Sequence, residues 1–195
     1  MKTKTIELYE FDELSEDVRA KVLQKERYIN VDDSFWSECI LDEWEEKLTA
    51  LGFESPEIAF SGFASQGDGA SFTCKRVNLA EFTKAQKAKT RFAKLLRLVE
   101  VDDLCASVDR VDHHYSHANT VRANVDMACN DETDPLIPLY QELEALITST
   151  VRTLSREIYG QLENEFFGLT TDEAVIDTIK ANEYTFTASG RMENV

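Results

Sequence analysis

All three histidines of this chain fall within five positions, His113, His114 and His117, with Asp109 and Asp112 just upstream and Asp126 downstream. Imidazole and carboxylate are the ligands of a catalytic zinc or manganese ion, and a hairpin could gather His114, His117 and Asp126 around one cation. HHxxH in a turn differs from helical HExxH, whose histidines share a face, so a polar hairpin end with Tyr115 packed under it is the competing reading. A second chemistry-bearing stretch is FSGFASQGDGASF, residues 60–72, where three of the seven glycines surround Asp68. Gly-Asp-Gly predicts a turn that visits positive φ and faces main-chain amides outward. Gln66, Gly67, Asp68 and Gly69 are therefore candidate contacts for a partner or an anion. The stretch lacks the lysine of GxxxxGK[ST], and the sequence offers neither GxGxxG after a strand nor the GxSxG elbow of serine catalysis.

Charge supplies two further candidates. The net charge is −16, but residues 61–100 hold 8 bases against 3 acids, whereas residues 1–60 hold 7 against 16 and residues 101–195 hold 6 against 18. An acidic surface repels membrane and duplex DNA, which disfavours direct DNA binding. Lys84, Lys87, Arg91 and Lys94 make the cationic stripe, able to hold phosphates of a nucleotide or to pair with acids of this chain or a second subunit. Glu38, Asp42, Glu45 and Glu46 lie on the polar side of a helix, where carboxylates either stay solvated or imitate nucleic acid to a basic protein.

These residues need elements to position them. Ile6 and Leu8 alternate in a strand over residues 4–9, and Ser15 caps a helix to about Tyr28. Asp33 opens a helix with Trp36, Ile40, Trp44, Leu48 and Leu51 as its apolar stripe. Residues 57–63 and 70–75 read as a hairpin with a five- or six-residue connection. Phe60 and Phe63 differ in parity, which places a bulge at Gly62. Asn78 and Glu81 form a capping box for one helix to about Val99, with Phe82, Ala85, Phe92, Leu95 and Val99 inward and the lysines outward. Residues 106–111 and 121–127 make a second hairpin across the histidines. A turn at Asn130–Asp134 leads into a long amphipathic helix through Leu139, Leu143, Leu146, Ile147, Leu154, Ile158, Leu162 and Phe166. A short helix from Thr170 and a strand at Tyr184–Thr187 close the chain. The expected architecture is one α+β domain over residues 1–195, an antiparallel sheet of two hairpins plus terminal strands covered by helices. With no leader and no apolar span, a cytoplasmic location is expected. Cys39, Cys74, Cys105 and Cys129 lack a CxxC pair, so reduced, mostly buried thiols are expected, with no cofactor.

YEFDELSEDVRAKV, FSGFASQGDGASF, HHYSHANTVRANVDM and LTTDEAVIDTIKANEYTFTASGRM, in that order, resemble a family of small proteins of tailed phages and prophages labelled as antitoxins of a toxin–antitoxin stability system. The chain departs from that pattern at Ala64, where an aromatic is expected, and at Val111-Asp112-His113, where bases are expected. The resemblance implies a non-enzymatic protein in infected host cytoplasm that neutralises a bacterial defence or toxin protein by stoichiometric contact. A sponge for a nucleotide second messenger, held between the glycine loop and the basic helix, is the alternative. A metal-dependent hydrolase on the histidine hairpin is the third reading.

Overall fold

Short antiparallel ladders carry the helices of this chain, and they fall into two compact units. The computed structural model describes residues 6–99, 104–111, 115–127 and 134–193. One unit is Cys39–Leu162; the other combines Met1–Glu38 with Glu163–Val195. The architecture is α+β.

In the larger unit, β1 (Phe53–Glu54) pairs with β4 (Arg76–Val77), and β2 (Glu57–Phe60) pairs with β3 (Ala70–Thr73) inside them. The segment is thus one long hairpin interrupted at Ser55-Pro56 and Cys74-Lys75. β5 (Leu104–Arg110) and β6 (Val121–Met127) form the second hairpin, with Leu104 opposite Met127 and Arg110 opposite Val121. Its alternation is clean: Leu104, Ala106, Val108, Val121 and Ala123 are buried. Among the described residues, one backbone bridge joins the two hairpins, Cys74 with Val108, which exchange hydrogen bonds of 3.1 and 2.9 Å. Burial pushes the Cys74 thiol up to about 11. Cys39 and Cys105 are exposed, contrary to expectation; Cys129 lies outside the described residues.

Helix α2 (Phe35–Ala50) follows the predicted stripe, burying Ile40, Trp44 and Leu48. Asp33 accepts the amide of Phe35 at 3.0 Å, as a carboxylate at a helix start should. The single helix expected over residues 78–99 is two, α3 (Leu79–Ala85) and α4 (Ala93–Val99). α3 closes as a Schellman turn, with Lys87 at φ 55° and the Ala88 amide on the Thr83 carbonyl. The reason is packing. In one continuous helix Leu79 and Leu95 would stand about 160° apart, yet both are buried. The break turns each inward and leaves Ala85 exposed, against expectation. Asn78 caps α3 as predicted, accepting the Glu81 amide at 3.2 Å. The 33-residue helix α5 (Ile137–Leu169) buries Tyr140, Leu143, Ile147, Val151, Ser155, Ile158 and Leu162.

The smaller unit contains α1 (Glu16–Lys25) and α6 (Asp172–Ala181), and β7 (Thr185–Phe186) paired with β8 (Met192–Glu193). Its core is Phe11, Leu14, Val22, Val175, Ile179 and Phe186. Of the N-terminal strand expected at residues 4–9, Tyr9 alone among the described residues pairs, with Phe186. The terminal strands form this separate ladder and do not extend the hairpins. Among the described residues, no helix is long and apolar enough to cross a membrane.

Candidate functional site

The glycine loop is longer than its sequence suggests, Ser61 to Gly69 linking β2 to β3. Asp68 organises it from within: its carboxylate accepts the amides of Ala64 and Ser65 at 2.9 and 2.6 Å, and its own amide donates to the Ser65 carbonyl. The Gly69 amide donates to Ser61 Oγ at 3.3 Å. Several amides expected to face a ligand are thereby bonded within the loop. The chain leaves β2 after Phe60, so no strand bulge is needed at Gly62. Phe63 instead swings back onto Phe60 and stacks on Tyr159 of α5, with centroids 6.1 and 5.5 Å apart. Tyr159 also donates to the Gly62 carbonyl at 3.3 Å, pinning the loop to α5.

None of the loop glycines adopts positive φ. Their role is close approach to the tip of the second hairpin. A Cβ on Gly67 would lie 2.4 Å from the Tyr115 ring, and one on Gly69 would lie 2.4 and 2.9 Å from Cβ and Cα of His117. Opposite them, His117 caps the 3-10 turn Ala118–Thr120. Its Nδ1 accepts the Asn119 amide at 3.1 Å, and Thr120 Oγ1 donates to its carbonyl at 2.7 Å. Tyr115 stacks on the His117 ring, centroids 6.2 Å apart.

Loop, turn and helix enclose a recess of about 300 Å³, lined by Gln66, Asp68, Gly69, His117, Asn119, Ser155, Arg156 and Tyr159 among others. A broader recess of about 550 Å³ adjoins it through Arg156, with Arg122, Glu144, Thr148 and Arg152 on its walls. Ser155 Oγ and Arg152 Nε are buried with no hydrogen-bond partner. Burial without a partner is costly for a polar atom and marks both groups for attention. The glycine loop and His117 were legible as candidates. Arg122, Asn119, Arg152, Ser155, Arg156 and Tyr159 were not. The available signal was Arg152, Ser155, Arg156 and Tyr159 at i, i+3, i+4 and i+7, one face of the predicted long helix.

Other candidates do not assemble. His113, His114 and Asp112 lie outside the described residues. Asp126 pairs opposite Cys105 and His117 lies beyond Val121, so they are separated by at least about 16 Å of strand. Asp126 instead accepts a hydrogen bond from Asn124. Among the described residues, no cluster of histidine, cysteine and carboxylate is arranged to hold a metal. The basic stripe is divided: Lys84 is on α3, Lys87 and Arg91 are in the intervening turns and Lys94 is on α4. Arg91 pairs with Glu142, which favours its charged form. Glu142 and Tyr159 are about 25 Å apart along α5, so the glycine loop and the basic residues do not form one nucleotide site. Glu38, Asp42, Glu45 and Glu46 are all exposed along α2, as the sequence predicts.

An α+β chain with a polar recess between two hairpin tips and a long helix is the class this geometry defines. Residues 36–172 match a domain of unknown function, DUF8835, and the chain belongs to that family. The match takes in both hairpins and every residue of the recess. No curated protein and no solved structure matches the chain.

Proposed function

We propose that the chain acts by stoichiometric binding, as a phage or prophage accessory protein that neutralises a bacterial defence or toxin protein through its acidic surface. One observation carries this reading: Glu38, Asp42, Glu45 and Glu46 are exposed along α2 while Ile40, Trp44 and Leu48 are buried. Four carboxylates are thus presented on a helix anchored from behind. They span about 12 Å, roughly one charge per 4 Å, near the 3.4 Å per phosphate of one DNA strand. A net charge of −16 adds a long-range field that draws a basic partner to the surface. The partner of that chemistry is a protein with a cationic nucleic-acid groove, met in the host cytoplasm.

The test is affinity capture from bacterial lysate at moderate salt, followed by assay of the captured protein with and without the purified chain. Capture and inhibition of a nucleic-acid-binding toxin or defence protein is expected, with DNA competing. The variant E38Q/D42N/E45Q/E46Q should keep the wild-type circular dichroism and lose both effects. Equal capture and inhibition by the variant would reject the acidic helix as the contact.

A further inference from the structure

We propose that the face of α5 carrying Arg152, Ser155 and Arg156 binds a small phosphate ester, with the phosphate on the arginines and the rest of the molecule beside His117. This site is separate from the acidic helix and does not depend on it.

Three observations converge. First, Ser155 is fully buried, yet its hydroxyl has no partner. Thr150 and Thr153 on the same helix return their hydroxyls to carbonyls four residues back, at 2.9 and 3.0 Å. Ser155 makes no such bond and lines the smaller recess. Second, Arg152 Nε is buried without a partner one turn away, and Arg122, Arg152 and Arg156 take part in none of the ion pairs among the described residues. Third, the carboxylates on the walls are already engaged with backbone amides, Asp68 with those of Ala64 and Ser65 and Glu144 with that of Val125 at 3.4 Å. On a chain of net charge −16, three guanidinium groups border two adjoining recesses that hold two wall carboxylates, Asp68 and Glu144, neither in an ion pair with them among the described residues.

The chemistry selects the ligand. Guanidinium forks match phosphate and carboxylate alike, but a carboxylate brings one charge where a phosphate monoester brings nearly two and three acceptor oxygens. Three arginines around the broader recess fit the phosphate, and Arg156, shared with the smaller recess, leaves the Ser155 hydroxyl beside the rest of the molecule. The recess of about 300 Å³ is large enough for a small ligand body, and Gln66, Asn119 and His117 supply donors and acceptors suited to a sugar or a base.

Calorimetric titration of the full chain at neutral pH with AMP, ribose 5-phosphate and adenosine tests the site. Both phosphate esters should bind, more weakly as salt rises, while adenosine gives no heat. Tighter binding of AMP than of ribose 5-phosphate assigns a base to the recess, and equal binding assigns the sugar phosphate alone; either supports the site. R152M and R156M should each weaken AMP binding at least about tenfold. S155A alters a single atom and should weaken it several-fold, which keeps the test available where an arginine variant fails to fold. Absence of heat from both esters at millimolar concentration would overturn the proposal. So would adenosine binding as tightly as AMP, or folded variants that bind AMP like the wild type.

Discussion

Two groups of basic residues meet the same helix and behave in opposite ways. Near the start of α5, the turns between α3 and α4 hold exposed cations, and Arg91 finds a carboxylate on Glu142. Farther along, Arg152 and Arg156 line recesses, and Arg152 carries a buried nitrogen with no partner. The first group has water and a counter-charge, so it asks nothing of a ligand. In the second, Arg156 is exposed, but Arg152 Nε has lost water without gaining a partner. Binding capacity therefore follows the second group, although the first has the higher local density of positive charge.

That contrast can be attacked at several levels. The break between α3 and α4 scatters the first group, and it exists because Leu79 and Leu95 are both buried. Leu95→Ala should cost about 2–5 kcal/mol in urea unfolding, showing that packing rather than charge fixes the break. Next comes the double variant R152M/R156M, expected to lower AMP affinity about a hundredfold or more, about 2.7 kcal/mol. K84Q/K87Q/K94Q should leave that affinity within a factor of about two. Reversal of those two results would exchange the roles of the groups.

A smaller effect separates two glycines of one loop. Gly69→Ala meets the backbone of His117 and should destabilise by about 1–3 kcal/mol, with weaker AMP binding because the turn beside the recess must move. Gly67→Ala meets the exposed ring of Tyr115, which can swing aside, so its thermal shift should be smaller. Smallest of all is Glu142→Gln. Its pair with Arg91 is exposed, and no resolvable change in the urea midpoint is expected.

Local features were legible in the sequence because their causes are local. The apolar stripe of α2, the cap at Asn78 and the alternation of Val121, Ala123 and Val125 each depend on neighbours a few residues away. The break after Ala85 was not, since neither glycine nor proline marks it and its cause is the joint burial of Leu79 and Leu95. The glycine loop is legible from its composition, but its glycines serve close approach and not positive φ: Gly67 and Gly69 make room for Tyr115 and His117. The arginine recess is not legible in the sequence because Arg122 is brought to Arg152 and Arg156 only by tertiary packing. All three also sit in the segment where 18 acids outnumber 6 bases. Counting charge along a chain hides convergence between distant positions.

The backbone bridge of Cys74 with Val108 has a kinetic meaning. Isolated hairpins close in about 1–10 μs, so both can form before they find each other. Joining them requires closing the much longer loop between Cys74 and Val108, a slower step that local pairing cannot replace. Their two amides, buried at the junction, should then exchange hydrogen with solvent only when the larger unit opens as a whole. The exchange rate at this one pair becomes a gauge of how cooperatively two independent hairpins have been made into one structure.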